Sequence, residues 1–192
     1  SFFFFEGLAK VIKGDKNYYI NKYGRIVIKK QFDWSSSKFS EGRALIKCGE
    51  KRGYINKKGE VVIAPEYDKA WHFSGGLAKV IYKRKICYIN RIGKVVIETE
   101  FEEAADFSEG MAFLKDGSKY GYINNKGKVV IQARFEYTSD FSGGMAYVRM
   151  GKKVGYINKS GEIITGMYNN HFFFCEGLAK VRIGGKYGFI NQ

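Results

Sequence analysis

The chain has 192 residues, of which 45% are hydrophobic and 17% aromatic, and its net charge is +14. This aromatic content excludes an intrinsically disordered chain, because enough apolar surface is present to offset the entropy lost on folding. The three cysteines are an odd number and cannot complete a disulfide framework. No apolar run approaches the roughly 18 residues of a membrane span, and residues 1–5 lack the basic segment of a signal peptide. The localisation stays unknown, since the chain can be a fragment of a longer protein.

A repeat of about 34 residues organises the whole chain. Its first marker is the motif Phe-x-x-Gly-x-Ala, which occurs six times at steps of 33 to 35 residues. The first glycines of these motifs are Gly7, Gly42, Gly76, Gly110, Gly144 and Gly177. The second marker is an aromatic residue followed by Ile-Asn, from Tyr19-Ile20-Asn21 in the first copy to Phe189-Ile190-Asn191 in the last.

Three strands are predicted in chain order within each copy. The first strand is of the Leu-Ala-Lys-Val type, a basic turn follows, and the second strand ends in Tyr-Ile-Asn. In the first five copies, Asn-x-x-Gly supplies residues that tolerate positive φ and reverses the chain into a third strand rich in Val and Ile. The crossover to the next copy, for example residues 65–73, must run the length of the sheet. The crossover is therefore predicted to add a fourth, irregular strand.

The predicted fold is a single all-β domain over residues 1–192, built from antiparallel meander repeats. The units cover approximately residues 1–35, 36–69, 70–103, 104–137, 138–170 and a partial 171–192. Small Gly and Ala residues on every first strand favour propeller-like packing, either closed into a ring or open. A continuous open β-solenoid is the alternative. The first two strands are predicted six times but the third only five times, so the sequence does not decide whether the array closes into a ring.

The repeat resembles the bacterial WG-repeat (KWG-repeat) family over essentially the whole chain. The resemblance rests on Phe-Ser-Glu-Gly-Met-Ala at 107–112 and on the run from Tyr120-Gly121-Tyr122-Ile123-Asn124 to Val129-Val130-Ile131. The slot of the family's signature Trp departs from the pattern and holds Asn17, Arg52, Ile86, Tyr120, Val154 and Tyr187. The Gly that follows it is replaced by Tyr18 and Cys87 in copies one and three. The resemblance implies a bacterial interaction module and does not indicate a catalytic activity or a particular ligand.

Two phenylalanine-rich segments, Phe2–Phe5 and His171–Phe174, are near copies of each other. One interpretation is that they form the core of the terminal units. The other is that they mark faces that pack end to end with further repeats or another subunit, since exposed apolar strands are otherwise prone to aggregate.

The positive charge concentrates in two sets of turns. The turns between first and second strands sum to +12 and the Asn-x-x-Gly turns to +7, while the remaining residues sum to −5. Repetition should align each set into a basic rim, which is either a solubilising surface or a site for an anionic partner. The candidate anion- or partner-binding residues are Lys51, Arg52, Lys83, Arg84, Lys85, Arg149, Lys152 and Lys153.

No catalytic, cofactor-binding or metal-binding residue is predicted. The glutamates Glu6, Glu41, Glu109 and Glu176 recur at one repeat position, which favours a structural role because catalysis requires one asymmetric constellation. The tyrosines of the Tyr-Ile-Asn marker are interpreted as core residues rather than a base-stacking platform.

The favoured function is a non-catalytic repeat scaffold that mediates protein or peptide interaction. The first alternative is binding of an anionic polymer or head group, such as nucleic acid, a glycan or anionic lipid, through the basic turns. An enzyme is the least favoured interpretation. The partner is expected to be another protein or peptide, with an anionic ligand as the second option and no cofactor.

Overall fold

The computed structural model describes residues 3–14, 16–30, 32–168, 178–183 and 186–191. Every regular element within these ranges is a β-strand, which confirms the all-β class. No helix there is long and apolar enough to cross a membrane. The strands are β1 Leu8–Lys13, β2 Lys16–Asn21, β3 Ile26–Ile28, β4 Trp34–Ser35, β5 Ala44–Cys48, β6 Lys51–Ile55, β7 Val61–Tyr67, β8 Lys69–Ala70, β9 Leu77–Tyr82, β10 Lys85–Asn90, β11 Val95–Thr99, β12 Glu103–Ala104, β13 Met111–Asp116, β14 Lys119–Asn124, β15 Val129–Phe135, β16 Tyr137–Thr138, β17 Ala146–Met150, β18 Lys153–Ile157, β19 Leu178–Ile183 and β20 Lys186–Asn191.

The chain forms two compact units, residues 1–100 and residues 101–192. The sheets of the first unit have the strand orders β1-β2-β3, β4-β5-β6-β7 and β8-β9-β10-β11, and those of the second unit β12-β13-β14-β15, β16-β17-β18 and β19-β20. Each repeat therefore has its own antiparallel sheet, as in the blades of a propeller. A solenoid would instead join strands of successive repeats.

The predicted fourth strand is present as a two-residue segment of the crossover. At the crossover from the first to the second repeat, Trp34 pairs with Lys47 and Ser35 with Ile46, so β4 lies beside the first strand of the repeat that follows it. The same pairing joins β8 to β9, β12 to β13 and β16 to β17. Each four-stranded sheet is thus a simple meander that begins in the crossover.

The prediction of five regular third strands is wrong for the fifth repeat. That segment makes only two isolated bridges to the second strand, Ile157 to Ile163 and Val154 to Tyr168. Between them the hydroxyl oxygen of Thr165 accepts the amide hydrogen of Tyr156 at 2.9 Å, and Gly166 has a φ of 75°. A side chain therefore replaces the ladder carbonyl, and the backbone turns away from the sheet.

The Asn-x-x-Gly turns follow the prediction for glycine but not for asparagine. The turn glycines have φ between 75° and 87°. The asparagines act through their side chains instead: Asn56 Oδ1 accepts the amide hydrogens of Lys58 at 2.9 Å and Glu60 at 3.1 Å. Asn21, Asn90, Asn124 and Asn158 repeat this pattern. A short side chain that bonds backbone two and four residues ahead explains why Asn recurs.

The glycine that follows the signature-Trp slot is required because the third strand approaches the second strand closely at this position. A Cβ on Gly53 would lie 2.5 Å from the carbonyl oxygen of Ile63 and 2.7 Å from the nitrogen of Pro65. In this repeat the ladder skips from Arg52–Tyr67 to Tyr54–Ile63, so the third strand bulges over the glycine. In the third repeat Cys87 pairs regularly with Glu98. The extra Cβ therefore accompanies a straighter third strand.

The interior of each unit is built from the recurring tyrosines. Tyr19, Tyr54, Tyr88 and Tyr122 are at most 2% exposed, which confirms their assignment to the core, whereas Tyr156 is only half-buried. Phe3 and Phe4 are exposed and Phe5 packs against the first core cluster, so the core interpretation of the first phenylalanine-rich segment is wrong for Phe3 and Phe4. Phe2 and residues 171–174 lie outside the described residues.

Candidate functional site

The predicted basic residues lie at one edge of the sheets, which we call the hairpin edge: the turns that join first to second strands, with the crossover residues that reach them. In the first unit, Lys51 and Arg52 begin β6, Lys83 and Arg84 form the turn between β9 and β10, and Lys85 begins β10. In the second unit, Arg149 lies in β17, Lys152 in the following turn and Lys153 at the start of β18. Each group is therefore placed at a turn.

Acidic residues of the crossovers reach several of these cations. Lys51 Nζ lies 2.5 Å from Asp68 Oδ1, and the Arg52 guanidinium donates to the Asp68 carbonyl oxygen at 2.7 Å. Lys85 Nζ lies 2.8 Å from Glu100 and 2.6 Å from Glu98, and these two carboxylates raise the pKa of Lys85 above its ordinary value. The hairpin edge is consequently of mixed charge at these positions rather than uniformly basic.

One crossover position supplies an acid that closes the turn. Asp33 accepts the amide hydrogen of Gly49 at 2.6 Å, and Glu136 accepts that of Gly151 at 2.7 Å. The Lys119 ammonium, then the Gly151 amide, hold the pKa of Glu136 below its ordinary value. The signal missed in the sequence is an aromatic residue followed by an acid, which occurs at 32–33, 67–68, 101–102 and 135–136.

Lys83, Arg84, Lys152 and Lys153 make no ion pair and no side-chain hydrogen bond among the described residues. Lys83 and Arg84 also have φ values of 51° and 66°, in the left-handed region that side chains rarely adopt. The equivalent turn in the second repeat has Gly49 at its first position. Because strained residues cluster at functional sites, this turn is a candidate contact point.

Exposed aromatic rings mark the same edge in both units. Trp34, the first residue of β4, is 46% exposed and pairs with Lys47 in the ladder. A cleft of about 380 Å³ is lined by Asp33, Trp34, Lys47 and Arg52. The indole ring therefore lies beside Lys47, Arg52 and Asp33 in this cleft, and Lys10 Nζ lies 5.9 Å from the ring centroid.

The second unit repeats this arrangement with a different ring. Tyr137, the first residue of β16, is 50% exposed and pairs with Arg149, whose guanidinium carbon lies 5.9 Å from the ring centroid. A groove of about 320 Å³ extends from Tyr137 past Met145, Tyr147 and Tyr156. Burial raises the pKa of Tyr147, so that phenol stays neutral. The part of the chain that the structure describes contains no group of His, Cys, Asp and Glu that could hold a metal ion.

Comparisons with solved structures concern the fold alone. Kluyveromyces lactis Hsv2, a β-propeller, is similar with a TM-score of 0.52 and 7% identity over 92% of this chain and 68% of that chain. Hsv2 with loop 6CD replaced by a Gly-Ser linker is similar with a TM-score of 0.49 and 6% identity over 74% of this chain, which spans 56% of that protein. A protein of unknown function from Bacteroides caccae has a TM-score of 0.36 and 17% identity over 91% of this chain and 81% of that one. The packing of the chain is propeller-like.

No curated protein sequence matches the chain. A family model described as WG containing repeat matches five segments, residues 19–51, 53–84, 88–120, 120–153 and 155–187. Each segment begins in or beside the second strand of one repeat and ends near the hairpin turn of the next, so the model spans the crossover described above. These segments make up most of the sequence, and the chain therefore belongs to the WG-repeat family.

Proposed function

We propose that the chain is a non-catalytic scaffold that binds another protein or a peptide at its hairpin edge. The observation that carries the proposal is the exposed ring that begins a crossover strand in each unit, Trp34 and Tyr137, opposite the bases Lys47 and Arg149. Tryptophan, tyrosine and arginine are the residues that dominate binding energy at protein interfaces. The cleft beside Trp34 suits an apolar side chain flanked by an acid.

The non-catalytic part of the proposal rests on what the recurring carboxylates already bind. Glu41 accepts the amide hydrogen of Gly76 and pairs with Arg91, and Glu109 accepts those of Gly143 and Gly144. These groups hold successive repeats together, and a carboxylate committed to backbone amides is a poor general base.

Binding of an anionic polymer is the second candidate function. It is favoured by Lys83, Arg84, Lys152 and Lys153, which make no ion pair among the described residues. Polyanion binding releases counterions, so the logarithm of its affinity falls linearly with the logarithm of salt concentration. The mixed charge around Asp68, Glu98 and Glu100 favours the protein or peptide partner instead.

A peptide selection with a salt titration tests the proposal. Peptides selected from a random library on the immobilised chain are measured by calorimetry against the wild type and Trp34→Ala. We expect a loss of about 30-fold in affinity, the size of an interface hot spot near 2 kcal/mol, and a shallow salt dependence.

The matched control is Lys83→Asn with Arg84→Gly, which removes two charges but keeps residues suited to the same tight turn. We expect this double variant to leave peptide affinity within about twofold, since exposed charges contribute little. Heparin and a single-stranded oligonucleotide serve as polyanion probes. Binding that is unchanged by Trp34→Ala, requires Lys83 and Arg84, and weakens steeply with salt would contradict the protein-binding proposal. It would support binding of an anionic polymer.

A further inference from the structure

Each sheet of repeats two to five carries three paired side chains near its hairpin turn, which we call the outer rung. The outer rung consists of the first residue of the crossover strand, its ladder partner in the first strand, and the partner of that residue in the second strand. Directly paired residues of antiparallel strands lie on one face of the sheet, so the three side chains are neighbours. The outer rungs are Trp34–Lys47–Arg52, Lys69–Ile81–Ile86, Glu103–Lys115–Tyr120 and Tyr137–Arg149–Val154.

The next rung along the same strands, the inner rung, has one type of composition in these four repeats. It joins a small residue in the crossover strand, an aliphatic residue in the first strand and Gly or Cys in the second strand. The aliphatic members, at most 1% exposed, are Ile46, Val80, Leu114 and Val148. Successive side chains of a strand point to opposite faces, so the inner rung lies on the other face of the sheet, where burial in the core restricts it.

The outer rung, in contrast, has a different composition in each repeat. Its crossover position alone holds an indole, an ammonium, a carboxylate and a phenol in turn. Accessibility does not explain this variation, because the accessible first residue of the second strand is lysine in all four repeats: Lys51, Lys85, Lys119 and Lys153. A recurring backbone whose side chains vary at one rung presents a different chemistry at each repeat, as binding surfaces of repeat proteins do.

In repeat two the outer rung combines an exposed ring with positive charge. Trp34, Lys47 and Arg52 line the cleft of about 380 Å³ described above. Lys10 Nζ approaches the same indole ring at 5.9 Å from its centroid. This cleft therefore offers a flat apolar surface surrounded by three cations.

The acids near this rung leave its cations able to bind an anion. Asp33 accepts the amide hydrogen of Gly49 at 2.6 Å, so its carboxylate is directed at the turn. Lys47 lies 3.4 Å from Glu50, whose side chain is 92% exposed, and an ion pair so exposed contributes little. Arg52 uses one of its several N–H donors on the carbonyl oxygen of Asp68. An incoming carboxylate can therefore replace Glu50 at Lys47 and bond to the remaining donors of Arg52.

The outer rung of repeat three adjoins that of repeat two within the first unit. The Arg52 guanidinium donates to the Asp68 carbonyl oxygen at 2.7 Å, and Asp68 immediately precedes Lys69. Lys69 is exposed, whereas Ile81 and Ile86 are half-buried. The surface beside the cleft is thus mainly apolar and carries one further cation.

We propose that the outer rung determines what each repeat binds, and that the rung of repeat two takes an aromatic side chain next to a carboxylate. This inference rests on the proposed function and names the chemistry of the bound peptide segment. The aromatic ring of the segment packs on Trp34. Its carboxylate pairs with Lys47 and with Arg52, whose guanidinium is suited to two parallel hydrogen bonds with a carboxylate.

The sequences of selected peptides provide the first test. We expect peptides selected from a random library on the wild-type chain to be enriched in Asp or Glu beside an aromatic residue, relative to the unselected library. A selection that yields binders without this enrichment would overturn the inference and leave the proposed function standing. A selection that yields no binder would remove both.

Reversing one charge of the rung provides the second test. Arg52→Glu should weaken binding of a selected acidic peptide about tenfold, the size of one hydrogen bond between charged groups, and should strengthen binding of the same peptide with lysine in place of its acid. Other repeats fill this slot with Ile86, Tyr120 and Val154, so we expect the variant to fold, which circular dichroism checks.

The matched control is Lys58→Glu, the same charge change in an exposed turn at the other end of the same sheet. It should alter both affinities by less than about twofold. Equal effects of Arg52→Glu and Lys58→Glu would assign the result to net charge and overturn the inference, as would an Arg52→Glu variant that binds both peptides like the wild type.

Exchanging a whole rung provides the third test. Trp34→Lys, Lys47→Ile and Arg52→Ile together give repeat two the outer rung of repeat three. Selection from the same library on this variant should lose the enrichment in acidic aromatic peptides. Arg52→Ile alone gives the same readout with a smaller change if thermal denaturation shows that the triple variant is unfolded. An unchanged peptide motif would show that another surface binds the segment and would overturn the inference.

Discussion

Repeats two and three have the same meander strand order. They differ at three positions, and these differences accompany local differences in structure. At the slot after the signature Trp, the second repeat has Gly53 under a bulged third strand, whereas the third has Cys87 in a regular ladder. At the hairpin turn, Gly49 corresponds to the strained Lys83. At the position of the recurring glutamates, Glu41 corresponds to Gly75. The strand order is therefore the same in both repeats, whereas the local backbone path and the charge of the surface differ.

The largest expected effect comes from adding a Cβ under the bulged strand. Gly53→Ala places that atom 2.5 Å from the Ile63 carbonyl oxygen. This oxygen belongs to the backbone and cannot move away as a flexible side chain could. We expect the free energy of unfolding, measured by urea denaturation, to fall by about 3 kcal/mol. Cys87→Ala gives the same residue at the same slot and should cost about 1 kcal/mol, because the Cβ is already accommodated there. Equal losses for the two variants would contradict the role assigned to the glycine.

The hairpin turn of the third repeat should respond in the opposite direction. Changing Lys83→Asn together with Arg84→Gly replaces two residues at positive φ with residues that tolerate it. We expect thermal denaturation to show a gain of about 1 kcal/mol. The control, Lys152→Asn in the turn of the fifth repeat, relieves no positive φ and should change stability little. A loss of stability in the double variant would show that Lys83 or Arg84 makes a stabilising contact.

A hydroxyl group distinguishes the tyrosines of Tyr-Ile-Asn from the phenylalanine at the same position of the sixth repeat. The Tyr54 hydroxyl donates to the Trp71 carbonyl oxygen at 2.7 Å. Tyr54→Phe keeps the ring and should lower the free energy of unfolding, measured by urea denaturation, by about 1 kcal/mol, the net value of one such hydrogen bond. Tyr23→Phe is the matched control, since that exposed ring should tolerate the change without loss.

The sequence predicted most of what lies within one repeat and missed the contacts between repeats. Residues close in the chain specify the strands, the turn glycines and the buried tyrosines, because alternation and turn chemistry act locally. The contacts between repeats connect residues far apart in the sequence, such as Lys159 and Glu109, which are 50 positions apart. A single chain offers no periodic signal for such a pair until the register between repeats is known. The exposed ring of Trp34 was missed for the same reason, since its burial depends on which strand it borders.

The smallest expected effect concerns pH at the position of the recurring glutamates. The amides of Gly144 and Gly143 and the ammonium of Lys159 hold the pKa of Glu109 below its ordinary value. A carboxyl whose pKa is lower in the folded state stabilises the fold above its unfolded pKa, and this contribution disappears as pH falls through the folded pKa. Wild type should therefore exceed Glu109→Gln in stability at neutral pH, and the two curves of unfolding free energy should converge below about pH 4.

The control for this titration is Asp116→Asn, whose side chain lies at the surface of the same unit and makes no ion pair or hydrogen bond among the described residues. Its stability curve should run parallel to that of the wild type across the acid range, because this side chain gains no partner on folding. Convergence seen for Glu109→Gln alone would assign the acid response to the contact between the fourth and fifth repeats. The same convergence in both variants would instead reflect the rising net positive charge of the chain, which destabilises any compact state as carboxylates are protonated.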